Sequence, residues 1–247
     1  MSDPQSLREV LTALAASDSS FKRFGAAQHR YVFLPPVTVE NETLPDDYRD
    51  YITRVSGGGV GPYYGLIPAQ RAAAFVQPAP TGIVDWTRAL PLSHLGCGYF
   101  AVMPLDGPAA GQIWLDARHI GITKPIRETF TAFLLDWIDR LSRNEWPEGF
   151  VPIGRCPLQA ALTGYLHMCE QQMAVAEGQL RGAQLRDALG GLGPGAIAIA
   201  AEGPLFHERE TVDPCITCAR MVENLVGEGL DPAVVAPGAP PLPCRLS

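Results

Sequence analysis

Apolar residues recur at helical spacing in three stretches of the first half of the chain. Leu7, Val10, Leu11 and Leu14 share one face of residues 5–17, with Arg8 and Glu9 outside it. Tyr48, Tyr51, Ile52 and Val55 do the same in a helix that should start near Pro45, a residue suited to the first helical position, and stop at the glycines from Gly57. Phe130, Phe133, Leu134, Trp137, Ile138 and Leu141 form the third stripe, opposite Asp136, Asp139 and Arg140. Between the second and third stripes, residues 63–115 read as short strands cut by turns. Residues 99–105 and 112–115 form a hairpin around Asp106-Gly107-Pro108-Ala109-Ala110-Gly111. Helices placed before and after a sheet, rather than alternating with strands, give an α+β fold class.

A Pro- and Gly-containing stretch over 144–155 precedes a second pattern. Leu158, Leu162, Tyr165, Leu166 and Cys169 mark a helix over 157–173, and 184–189 a short helical piece. Residues 196–201 read as a buried strand, 215–226 as a last helix, and the tail from Ala233 as Pro-rich and irregular. Two modules are therefore expected, 1–148 and 149–247, the second a small α/β unit. No internal repeat is visible.

Residues 57–68 run Gly-Gly-Gly-Val-Gly-Pro-Tyr-Tyr-Gly-Leu-Ile-Pro. Consecutive glycines after a helix permit positive φ and close backbone approach. A helix cap and tight turn explain them better than a phosphate loop, because no Gly-Lys-Ser/Thr ending follows and a strand comes next instead of a helix. Tyr63 and Tyr64 should then enter the sheet with one ring on each face.

The order of these parts resembles the SUKH superfamily, the Smi/Knr-like domain of fungal cell-wall-synthesis regulators and many bacterial toxin-immunity proteins. The helix opening Leu44-Pro45-Asp46-Asp47-Tyr48 leads into the glycine bend, the paired tyrosines and an apolar strand. Phe24-Gly25-Ala26-Ala27 to His29-Arg30-Tyr31, before Pro35-Pro36, resembles the family's entry segment. Leu95-Gly96-Cys97-Gly98-Tyr99 resembles its central strand, and Gly111-Gln112-Ile113-Trp114-Leu115-Asp116 its Gly-x-x-Trp strand. The helix over 130–137 resembles its closing helix, so the likeness spans residues 20–143. It implies a mixed sheet with flanking helices, used as a protein-interaction scaffold without a fixed catalytic set. In bacteria such domains commonly neutralise toxins by direct binding, which implies a protein partner, a toxin domain in that setting. The surface for it is sought at Tyr63, Tyr64, Trp114 and neighbouring acidic residues. A regulatory scaffold with no toxin fits the same residues.

Asp213-Pro214-Cys215-Ile216-Thr217-Cys218 reads as a helix start with Asp213 as N-cap and Pro214 at the first helical position. Cys215 and Cys218 then face one side of the first turn, where the helix field favours thiolates. Two thiolates at that spacing are half of a zinc site, and Cys156, Cys169, His167, His207 and Cys244 are candidates for the rest. Helix from Cys156, strand, then Pro-Cys-x-x-Cys helix is also similar to part of the zinc-dependent deaminase fold, with Cys156, Cys215 and Cys218 as metal ligands. That chemistry needs a glutamate two residues after the first ligand, where this chain has Leu158. Cysteines with only a packing role are a further reading, and a thioredoxin-like dithiol a weaker one, since too little chain follows to complete that fold.

The remaining polar candidates point to structure. His29 and His94 are single histidines, and Asp46 and Asp47 are favourable charge at a helix N-terminus rather than an acid/base pair. Trp114 and Trp137 suit a core or its rim. The 247 residues, 47% apolar and 18% charged, are enough for a real core, and no Gly-x-Ser-x-Gly elbow suggests a serine hydrolase. A net charge of −7 disfavours nucleic acid as a partner. The absence of a signal-like start and of long apolar runs leads us to expect no membrane partner and a cytoplasmic location, in which the six cysteines stay reduced or bind metal.

Overall fold

The computed structural model describes residues 4–18, 30–38, 44–74, 76–78, 84–150, 156–201 and 210–236. The 24–29 part of the entry segment, His207 and Cys244 lie outside them. The helical stripes become α1 (Pro4–Ser17), α2 (Asp46–Arg54) and α4 (Phe130–Ser142), with a short α3 (Ala69–Ala74) between. Thr129 caps α4 by accepting a hydrogen bond from Ala132 N–H, and the Asp47 carboxylate of α2 accepts one from Thr131 N–H at 2.8 Å. An acid at one helix start thus fastens a second helix.

The strands β1 (Gln77–Pro78), β2 (Arg88–Gly96), β3 (Tyr99–Pro104), β4 (Ile113–Ala117) and β5 (Ile122–Arg127) form one sheet in sequence order. The α+β class expected from the pattern holds. The sheet is antiparallel at every pairing rather than mixed, because each of β2 to β5 returns beside its predecessor through a short connection and no crossover intervenes. Its inner face carries Leu90, Leu92, Tyr99, Ala101, Met103, Ile113, Leu115 and Ala117, all packed in the main core. Tyr48, Tyr51, Ile52, Phe130, Phe133, Leu134 and Trp137 cover that face from the helices. Phe130 meets the rings of Tyr48 and Tyr51 edge-on at 5.1 and 5.2 Å. Each such side chain, fully buried, stabilises the fold by about 1.5–3 kcal/mol.

The glycine stretch does not send Tyr63 and Tyr64 into a strand. Gly59 and Leu66 exchange backbone hydrogen bonds at 2.8 Å, closing a loop in which Tyr63 takes φ +57. Gly59 must lack a side chain, since a Cβ there would run into Val32 O. Beneath this loop Arg30 is buried against Asp18 and donates to Tyr63 O at 3.3 Å.

In the second half lie α5 (Pro157–Gln172), α6 (Gly182–Gly190), α7 (Ile216–Gly227) and a two-stranded antiparallel ladder of β6 (Ala200–Ala201) and β7 (Glu210–Thr211). The strand anticipated over 196–201 is thus confined to its end, with Ile197 making one parallel bridge to Val235. The apolar core runs across both halves, taking in Leu158, Leu162, Leu189, Ile216 and Val222 beside the sheet residues. No helix among the described residues is long and apolar enough to cross a membrane.

Candidate metal centre

Four buried cysteines meet where the two halves touch. The Sγ atoms of Cys97, Cys156, Cys215 and Cys218 all lie within 4.8 Å of one another, and could hold a metal ion. Cys156 Sγ stands 3.0 Å from Cys97 Sγ and 3.1 Å from Cys215 Sγ. The three cysteines singled out in the sequence are thus brought together, and a fourth joins them from the sheet.

Cys97 and Gly98 form the two-residue turn between β2 and β3, with φ of +52 and +76. Positive φ at both central residues matches the right-handed twist of a hairpin, but favours Gly, Asn or Asp. A cysteine held there is strained, and its neighbours determine why. Cys97 N–H donates to Asp213 O at 2.8 Å, and Cys215 N–H donates to Cys97 Sγ at 3.1 Å. Gly96, at φ +87, has no side chain to keep the Pro214–Cys215 backbone away.

Cys156 and Cys215 are the N-cap residues of α5 and α7. The second assignment corrects the expected start at Asp213 and Pro214. Those two residues stay outside the helix, and their carbonyls serve the sheet half, Asp213 O receiving Cys97 N–H and Pro214 O receiving the Tyr64 hydroxyl at 2.7 Å. Cys218 follows in the first turn of α7. Two helix N-termini therefore face one cluster of thiols, and their unpaired N–H groups favour negative charge there.

The electrostatics follow from that geometry. Hydrogen bonds from Cys156, Cys218 and Cys97 hold the Cys215 thiol well below its ordinary range. Burial pushes the Cys97 thiol up, and hydrogen bonding to Cys156 and Cys215 pushes up Cys218. A cation held among them would favour ionisation of all four thiols. Tyr99 stands over the site, its hydroxyl 3.7 Å from Cys156 Sγ and its ring stacked on His119 at 4.9 Å. A void of about 10 Å³ adjoins Cys215 between Tyr63, Leu95, Tyr99 and Phe150, room for one water at most.

The other candidates fall elsewhere. Cys169 is buried in a separate cluster with Leu180 and Ala188, and His167 is exposed beside Glu170. His94 packs against Phe100 and Tyr64 at 5.2 and 6.1 Å, and burial lowers its pKa to about 4, so the imidazole is neutral. Tyr63 and Tyr64 cannot supply the expected partner surface as the chain is folded. Their rings are only 4% and 3% exposed, because residues 145–150 and the start of α7 cover them and take their hydroxyls onto Glu148 O and Pro214 O. Trp114 is half-buried on the outer face, edge-on to Trp86 at 6.1 Å. Trp137 is core.

No protein-family model, no curated protein and no solved structure matches this chain.

Proposed function

We propose that the chain is a non-catalytic, protein-binding protein whose halves are tied together by one structural zinc ion on Cys97, Cys156, Cys215 and Cys218. The observation that carries the zinc site is the convergence of four buried thiols from three separate segments. Tetrahedral zinc with bonds of about 2.3 Å needs sulfurs about 3.8 Å apart, a value between the 3.0 Å that separates Cys97 and Cys156 Sγ and the 4.8 Å that bounds the whole set. A sulfide-bridged iron cluster needs a wider cage.

A full set of four thiolates leaves no position for a reacting water, which is the mark of a structural rather than a catalytic zinc site. The deaminase alternative wants three protein ligands, an open position and a glutamate near the first ligand. Here the fourth place goes to Cys97, and Leu158 is wholly buried in the core. Reduced thiols and a metal site suit a reducing, cytoplasmic setting. Within that reading, the SUKH-like order of motifs suits an immunity-type binder of a toxin domain, a regulatory scaffold fits the same residues, and Trp114 is the partner-facing candidate that retains exposed surface.

Elemental mass spectrometry on untagged protein purified under reductant tests the metal. One zinc per chain supports the reading, and metal-free protein that takes up none on reconstitution ends it. For the partner, co-expression should give a stoichiometric complex that suppresses the toxin's activity. A complex unaffected by Trp114→Ala would remove Trp114 from the interface.

A further inference from the structure

Resting on the zinc reading, we infer that metal occupancy governs whether the C-terminal half, residues 156–236, stays docked on the sheet. The ligands divide unequally: Cys97 belongs to the sheet, whereas Cys156, Cys215 and Cys218 begin the two helices beyond it. A bound ion is therefore a cross-link between the halves, made of metal–sulfur bonds.

Among the described residues the halves are otherwise joined by hydrogen bonds and by the apolar core they share. Hydrogen bonds that cross the junction between described residues gather at the cluster, from Cys97 N–H to Asp213 O, Cys215 N–H to Cys97 Sγ, the Tyr64 hydroxyl to Pro214 O and the Tyr99 hydroxyl to Cys156 Sγ. Arg220 adds one to Pro147 O at 2.9 Å. Apolar contact across the junction includes Tyr63, Leu95 and Tyr99 beside Ile216 next to the cluster. Among the described residues the second half adds no strand to the five-stranded sheet, and its own ladder is separate. The sheet half, by contrast, is already covered by α2 and α4 through Tyr48, Tyr51, Phe130, Phe133 and Trp137. Losing the ion thus leaves α5 and α7 held by these hydrogen bonds and the shared apolar core alone, while the sheet keeps the cover of α2 and α4.

Hydrogen exchange on the full chain, zinc-loaded against chelator-stripped in reductant, reads this directly. Amides of α5 and α7 should exchange at least about tenfold faster after stripping, those of β2 to β4 and α4 should change by no more than about twofold, and added zinc should restore the difference. Gly96→Ala, which keeps every thiol, should show the same pattern at limiting zinc. Equal loss of protection in both halves, or none in α5 and α7, overturns the inference while leaving the zinc site standing. Protein that neither contains nor takes up metal overturns both together.

Discussion

A methyl group added at Gly96 would meet the other half of the chain head-on. Its carbon would stand 2.5 Å from Cys215 N and nearer still to the Pro214 carbonyl, about 0.9 Å inside the 3.4 Å at which ordinary contact begins. The obstacle is backbone, so no side-chain rotation relieves it, and the Pro214–Cys215 peptide must retreat by roughly an ångström. Metal–ligand distances tolerate only about ±0.2 Å, and Cys215 carries a ligand. Disturbances next to a metal site typically weaken binding about 10- to 100-fold, or about 1.4–2.7 kcal/mol. The φ of +87 adds about 1–2 kcal/mol of backbone strain for any residue with a β-carbon. Gly121→Ala separates the two effects, because Gly121 has φ +72 and nothing within 4 Å of the added carbon. Zinc competition against a chromogenic chelator should show weakened binding in Gly96→Ala and wild-type binding in Gly121→Ala. Equal zinc affinity in both variants would refute the close approach as the feature that builds the site.

Cys97→Ser should abolish stoichiometric zinc, whereas Cys169→Ser should keep it, as read by elemental analysis; retention in the first would make Cys97 a bystander. Tyr64→Phe leaves Pro214 O without its buried donor and should cost about 1–3 kcal/mol in urea unfolding of the zinc-loaded protein, with metal stoichiometry unchanged. Asp18→Ala strands the buried Arg30 guanidinium and should cost about 3–5 kcal/mol by the same measurement, while a loss under about 1 kcal/mol would mean that Arg30 finds water instead.

Much of the architecture was legible because it rests on local periodicity. The stripes of α1, α2 and α4 each bury one face against a common core, so their spacing survives folding unchanged. The hairpin of β3 and β4 was readable for the same reason. The metal centre was legible only in part. Cys215 and Cys218 announce themselves by spacing, but Cys97 lies 118 residues from Cys215 and 59 from Cys156. Its local signal was the Gly-Cys-Gly turn, where a cysteine takes a left-handed position that Asn or Gly would fill more easily. Tyr63 and Tyr64 misled because alternation says which way a ring points in a strand, and not whether a distant segment folds over it. The start of α7 slipped by two residues because Asp213 and Pro214 have local capping chemistry, while long-range pairing with Cys97 and Tyr64 holds them outside the helix.

The most direct test is zinc K-edge X-ray absorption on the reduced, untagged full-length chain. Four sulfur ligands at about 2.3 Å, with no nitrogen or oxygen shell near 2.0 Å, is the result expected of a closed site on Cys97, Cys156, Cys215 and Cys218. Three sulfurs and a light atom would contradict it, opening a coordination position and returning hydrolytic chemistry to consideration.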